Sequence, residues 1–231
     1  MTNDERGFKR TVRSFVRRAG RITESQQRAL DELWPLWGVE VSDAPLDVVE
    51  LFGREAPLTV EIGFGNGDSL VQLAAEHPDH NYLGIEVHVP GIGHCLIAAR
   101  QASIDNLRII SHDAVDVLSQ QVAAGSVSRL NLYFPDPWPK KRHHKRRILN
   151  PDFLAAVHAC LAPGGTFHIA TDWRNYAEHI DELFSVSPLF RLDERREHDG
   201  DQPLDRTVTK FEKRGVKRGH RIWDWRYQKI G

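Results

Sequence analysis

The chain has 231 residues, 40% of them apolar, with 31 Lys and Arg against 32 Asp and Glu. That length suits one α/β domain with at most a small appendage, and the near-zero net charge names no partner by itself. No apolar run approaches the roughly 20 residues of a membrane span. The first ten residues hold no apolar signal core, and Cys95 and Cys160 are too isolated for a metal knuckle or a disulfide framework. The expectation is a cytoplasmic protein without a membrane partner.

Charge is segregated along the chain. Residues 1–28 carry 8 Lys/Arg and 3 Asp/Glu, residues 140–147 carry 6 and 0, and residues 205–231 carry 9 and 3, while the segments between are acidic. Such segregation fits a polyanion held on one surface. Residues 1–22, polar and Arg-rich, are predicted to form a basic arm, flexible when free, ahead of a single domain over residues 23–231.

Thr23 to Trp37 reads as a helix capped by Thr23. From Leu58 the pattern alternates between short apolar runs and helix-period stretches. The runs are Leu58–Ile62, Tyr82–Glu86, Leu107–Ile110, Leu130–Phe134 and Thr166–Ala170. The predicted helices are Asp68–Glu76, Gly91–Ala102, Ala114–Val122, Pro151–Leu161 and Trp173–Phe184. Five strand–helix units in series predict an α/β fold, Rossmann-like, with a mostly parallel sheet and helices on both faces. Strand-like stretches follow at Phe190–Asp193, Thr207–Phe211 and Ile222–Tyr227; the last two are expected to pair antiparallel at the sheet edge. Ligands of open sheets bind beyond the carboxyl ends of the strands.

The first strand runs into Gly63, Gly65 and Gly67, a tight turn whose backbone can approach a ligand. A dinucleotide fingerprint would need a third glycine where Asp68 stands, which disfavours a nicotinamide dehydrogenase. Glu61, just before the turn, is unwelcome near a pyrophosphate but suits a cationic ligand. Glu86 ends the second strand, where a carboxylate can accept from ribose hydroxyls. Asp113 follows the third, as an adenine contact or as a helix N-cap.

The fourth strand ends in Tyr133-Phe134-Pro135-Asp136-Pro137-Trp138-Pro139-Lys140. Two prolines stiffen the loop around Asp136, Trp138 offers a flat face for a base, and six Lys/Arg in residues 140–147 offer phosphate contacts. His143 and His144 are adjacent and so face apart; no metal is assigned.

With these residues in view, the chain resembles the bacterial tRNA (guanine-N7-)-methyltransferase family. The resemblance rests on residues 60–67, Gly84-Ile85-Glu86-Val87, the 131–143 stretch, Ala170-Thr171-Asp172-Trp173 and Thr209-Lys210-Phe211-Glu212. One departure is the Gly/Pro-rich run from Val89 to Gly93. The resemblance implies a class I methyltransferase with a seven-stranded sheet and an antiparallel edge strand. It implies S-adenosylmethionine held by Glu61, the three glycines, Glu86, Asp113 and Asp136, with no metal. It also implies tRNA contacts from Lys140, Asp172, Thr209, Lys210, Phe211 and Glu212, and a target guanine in the variable loop, position 46. Asp136 is the expected catalytic residue. The family includes monomers and dimers, so no oligomeric state is carried over. Two rivals are a methyltransferase for another substrate, opposed by the basic cluster beside Asp136, and an inactive RNA-binding protein of this fold, opposed by the intact glycine loop, Glu61 and Asp136.

Overall fold

The computed structural model describes Ser14, residues 20–42, 44–200 and 203–231. Most of the predicted arm, 1–22, therefore lies outside the described residues. Thr23 caps helix α1 (Glu24–Trp37) as expected: its hydroxyl accepts from the Gln26 amide while the Gln26 side chain accepts from the Thr23 N–H. The helix buries Ala29, Leu33 and Trp37, one stripe at four-residue spacing.

After α1 come β1 (Gly38–Val39), α2 (Val48–Phe52), β2 (Leu58–Ile62), α3 (Asp68–Glu76), β3 (Asn81–Ile85), α4 (Val89–Ala102), β4 (Leu107–Ile110) and α5 (Ala114–Gln120). The second half holds β5 (Val127–Tyr133), a 3-10 turn at Lys141–Arg146, α6 (Pro151–Cys160), β6 (Leu161–Thr171), α7 (Arg174–Ser185), β7 (Phe190–His198), α8 (Lys210–Val216) and β8 (Ile222–Lys229). Among the described residues the strands form one eight-stranded sheet in the order β1-β4-β3-β2-β5-β6-β8-β7. The pairs from β1 to β6 are parallel, and β8 runs against both β6 and β7.

Three expectations are corrected. The sheet has eight strands rather than seven, because β1 adds a two-residue edge too short to leave an alternating pattern. The reversed strand β8 lies one place in from the edge, with β7 outside it. The stretch from Thr207 to Phe211 is not a strand. Thr209 caps α8 through a capping box with Glu212, and that local chemistry overrides the β-propensity of the short apolar pattern.

The strands alternate as the pleat requires. One face buries Val60, Ile62, Leu83, Ile85, Leu130, Leu132, Phe167, Ile169 and Trp225 in a core shared with α5, α6 and α7. The other face differs along its width. Over β3 and β4 it is apolar, with Tyr82, Leu107 and Ile109 packed against α1, α3 and α4. Over β2, β5, β6 and β8 it carries Glu61, Asn131, His168 and Arg226, in register across the sheet. The order reverses between β2 and β5, so their carboxyl ends open a crevice.

Candidate functional site

The glycine turn occupies one side of that crevice. Gly63, Gly65 and Gly67 have φ of 69°, 62° and 79°, in the left-handed region that other residues enter only with strain. They differ in surroundings. A Cβ on Gly63 would meet nothing within 4 Å, whereas one on Gly67 would lie 2.3 Å from Cys95 Sγ. Gly63 thus leaves room for a ligand, while Gly67 lets α3 press onto α4.

The departure noted at Val89 to Gly93 has a packing reason. A Cβ on Gly91 would lie 2.1 Å from the Gly65 carbonyl oxygen, and one on Gly93 would crowd Gln26 of α1. Helix α4 therefore touches the turn backbone to backbone.

Glu86, which follows β3 on the same side of the crevice, braces the turn. Its Oε2 accepts from the Gly65 amide at 2.9 Å, and its Oε1 accepts from the Val87 and His88 amides at 2.6 and 2.9 Å. Three backbone donors hold the carboxylate in one orientation, with its remaining acceptor capacity for a ligand. Asp113 caps α5, accepting from the Val115 amide at 3.1 Å, and it also lines the crevice.

Asp136 is exposed, in a loop with two unusual backbone positions: Phe134 has φ 51° and Trp138 has φ 46°. Such non-glycine positions persist where the surroundings over-determine them, and they concentrate at functional sites. The Phe134 amide donates to the Ala170 carbonyl at 2.8 Å, and the Arg206 guanidinium lies 5.4 Å from the Phe134 ring centre. The Trp138 indole donates to the Ser14 carbonyl at 3.0 Å. Its face is covered by the Arg146 guanidinium, 4.5 Å from the ring centre. The cation therefore occupies one of the two faces that Trp138 was expected to offer a base.

The basic run also divides. Lys140, Lys141, Arg142 and Lys145 are exposed, but Arg147 is buried. The reading of all six cations as phosphate contacts is corrected accordingly.

One cavity of 370 Å³ collects much of this, within the range of small-molecule sites, about 300–1,000 Å³. It is lined by Gly63, Gly65, Glu86, Asp113, Asp136 and Phe211 among others. The histidines after β3 and β4, His88 and His112, line it too and were not singled out from the sequence, although their strand-end positions would have flagged them. Two further cavities, about 420 and 460 Å³, lie along α7 and β8 and share Arg174, Arg221 and Trp223.

The other expected residues lie elsewhere. Glu61 is buried beneath the glycine turn, 3% exposed. Burial pushes its carboxyl up to about 7, outweighing the Arg129 charge and hydrogen bonding with Asn131 and Ser69. Asp172 stands just ahead of Trp173, at the start of α7; its Oδ2 lies 3.0 Å from His220 Nδ1, in the cavity bordered by Trp173 and Trp223. Lys210 is exposed beside Phe211. Thr209 is engaged in its cap, and Glu212 is fully buried with its carboxylate on Arg206.

Arg206 anchors this segment. It grips both oxygens of Asp224, at 2.6 and 2.8 Å, as well as Glu212. Burial raises the Asp224 carboxyl, but the His168 ring, 3.3 Å away, and the hydrogen bonds with Arg206 and His198 hold it well below the usual range. Burial lowers His168 to about 4, against the pull of the neighbouring Asp224. Its Nδ1 faces the Arg129 guanidinium at 2.9 Å, a donor that only a neutral ring can satisfy. The polar half of the sheet is thus a built foundation for α8, which sets Phe211 over the glycine turn.

Among the described residues no group of three or more His, Cys, Asp or Glu side chains is placed to hold a metal ion. None of the described helices is long and apolar enough to cross a membrane.

Comparison with known proteins agrees with this geometry. A family model of methyltransferases matches residues 55–225. The tRNA (guanine-N(7)-)-methyltransferase of Aeromonas hydrophila is 50% identical over 228 residues, covering 99% of this chain and 96% of its own. That of Cronobacter sakazakii is 51% identical, covering 96% and 92%. Among solved structures, the 16S rRNA methyltransferase KamB superposes with a TM-score of 0.60 at 14% identity, over 85% of this chain and 99% of its own. The 16S rRNA (adenine(1408)-N(1))-methyltransferase of Catenulisporales acidiphilia gives 0.58 at 16%, over 79% and 90%. These structural likenesses establish the class I methyltransferase fold, and the sequence relatives establish more: the chain belongs to the tRNA (guanine-N(7)-)-methyltransferase family.

Proposed function

We propose that this protein transfers a methyl group from S-adenosylmethionine to N7 of a guanine in tRNA, at position 46 of the variable loop. The observation that carries the reading is the convergence of Gly63, Gly65, Glu86, Asp113 and Asp136 on one cavity at the sheet's switch point, in a chain half-identical to proteins named for that reaction. The site fits the cofactor: an oriented carboxylate for ribose, an acid after β4 for the adenine amine, and open space over Gly63. S-adenosylmethionine supplies, when bound, an electrophilic methyl group on a sulfonium.

Guanine N7 already carries an in-plane lone pair, so no proton must leave before attack. Held by Gly63, Gly65, Glu86 and Asp113, the cofactor would supply its methyl group to that lone pair, keep the electrons of the broken bond and leave the positive charge on the purine. The protein must therefore chiefly hold two reactants in line, an effect worth about 7–11 kcal/mol. Asp136, held between Pro135 and Pro137, orients the base or the methyl donor and stabilises positive charge; it does not act as a general base. Asp172 and Phe211 contact the incoming nucleotide from the far side. Thr209 and Glu212 set the position of α8 instead of reaching the RNA themselves. Lys140 places the reacting nucleotide, and the exposed cations that follow it hold phosphates. Residues 23–231 act as one catalytic domain, with the basic residues of 1–22 as an RNA-holding arm. Two unpaired, buried thiols, Cys95 and Cys160, suit the reducing cytoplasm where tRNA is modified.

The test is methyl incorporation into unmodified tRNA. Asp136→Asn keeps the shape and removes the charge, and it should lose most turnover while remaining folded. Near-normal turnover would remove Asp136 from the chemistry.

A further inference from the structure

Arg147 closes the basic run and, from its neighbours, reads as one more RNA contact. It is only 4% exposed. Its Nε donates to the Pro137 carbonyl at 3.1 Å, and its Nη2 donates to Asn175 Oδ1 at 2.6 Å. Nη2 also lies 3.2 Å from His144 Nε2, and the guanidinium sits 4.9 Å from the centre of the Tyr176 ring. Tyr176 is fully buried.

The partners belong to two different loops. Pro137 follows Asp136 in the loop after β5. Asn175 and Tyr176 stand in the first turn of α7, directly after the loop that carries Asp172. A single side chain thus ties the ends of two neighbouring strands together at the places where the two candidate acids emerge. The Pro137 carbonyl, the Asn175 amide and the Tyr176 ring all meet the one guanidinium, so loop, helix turn and cation form one compact group. A guanidinium is suited to this task, because its donors project from one plane in fixed directions. Its contacts here are a carbonyl, an amide oxygen, an imidazole and an aromatic face. Burying a cation against such groups is unfavourable as packing alone; what it secures is a fixed distance between two loops.

We propose that Arg147 is a positioning residue that holds the Asp136 loop against the Asp172 loop, and that it takes no part in RNA contact. This rests on the role given above to Asp136. Misplacing a reacting group by about 1 Å can cost roughly a hundredfold in rate, so a small release of either loop is measurable.

The experiment compares Arg147→Lys, Asn175→Ala and Asn175→Asp with Lys145→Ala and Asp136→Asn. For each, kcat, the tRNA KM, the salt dependence of tRNA binding and the melting temperature are measured. Arg147→Lys keeps the charge but cannot span both partners, and Asn175→Ala removes one of them. Both should lower kcat, by roughly tenfold or more, with tRNA affinity and salt slope unchanged. Asn175→Asp keeps an acceptor at that point and should restore kcat. Lys145→Ala should instead weaken tRNA binding and flatten the slope. If the Arg147 and Asn175 variants behave like Lys145→Ala, or keep full kcat, the proposal is overturned. A loss of kcat that only tracks loss of folded protein, unrestored by Asn175→Asp, overturns it too. Retained turnover in Asp136→Asn would break the underlying reading instead, whatever Arg147 does.

Discussion

Gly91 of α4 stands directly against Gly65 of the glycine turn: a Cβ on Gly91 would lie 2.1 Å from the Gly65 carbonyl oxygen, and that oxygen belongs to backbone that cannot swing aside as a side chain can. Gly91→Ala improves helix propensity by about 1 kcal/mol yet must displace either α4 or the turn. S-adenosylmethionine affinity, measured by calorimetry, should fall at least tenfold in this variant. Unchanged affinity would mean that the turn is not shaped by α4.

Glu86 provides the second handle on the same turn. It accepts from three backbone amides, so Glu86→Ala removes the anchor of Gly65 and, on the proposed reading, a ribose acceptor as well. Hydrogen bonds to a charged acceptor contribute about 1.5–3 kcal/mol each. Cofactor binding should weaken by a factor of ten or more, with a lower melting temperature as well. Glu86→Gln, which keeps one acceptor oxygen, should fall between. An Ala variant with normal cofactor affinity would reduce Glu86 to a strand-end acid.

Glu61 predicts a pH dependence. Its carboxyl is raised from 4.5 to about 7 by burial, so the folded state binds the more protons between those values. Stability then falls as pH rises through that window and levels above it. Glu61→Gln removes the titration. The wild-type melting temperature should drop relative to Glu61→Gln between pH 5 and pH 8. Parallel curves across that range would place the Glu61 carboxyl among ordinary, solvated acids.

Phosphate contact is expected from the exposed part of the basic turn. Replacing Lys141, Arg142 and Lys145 together by Ala should lower tRNA affinity and flatten the log–log salt slope by roughly two, since each lost phosphate contact leaves its counterions in place. S-adenosylmethionine affinity should stay as it was, because none of the three lines the cavity proposed to hold it. A variant with the wild-type slope would show that these cations are merely solvated.

The central strands and α3 were readable because their borders carry strong local chemistry. Gly63, Asp68 and Pro135 interrupt apolar periodicity, and β2, β4 and α3 fall on the predicted residues. The capping box at Thr209 was equally local, but the apolar and β-branched residues around it, Val208 and Phe211, read as a strand. Elements of two and five residues, β1 and α2, are too short for any period to show. Long-range pairings were beyond reach for a different reason. Nothing local distinguishes Arg147, which is buried on Asn175, from Lys145, which is exposed, two places earlier. The joining of Arg206 to Asp224 and Glu212, and of His168 to Asp224, depends on which strands become neighbours. The glycine loop, Glu86, Asp113 and Asp136 could be named as one site because each follows a strand, and strand ends share an edge of the sheet.

The central claim is most directly tested by incubating the protein with methyl-labelled S-adenosylmethionine and unmodified tRNA, digesting the RNA, and identifying the labelled nucleoside by mass spectrometry. The account predicts a single labelled product, 7-methylguanosine, mapped to the variable loop and absent when Asp136→Asn replaces the wild-type protein. Label on any other base or on protein, or no label at all, would contradict it.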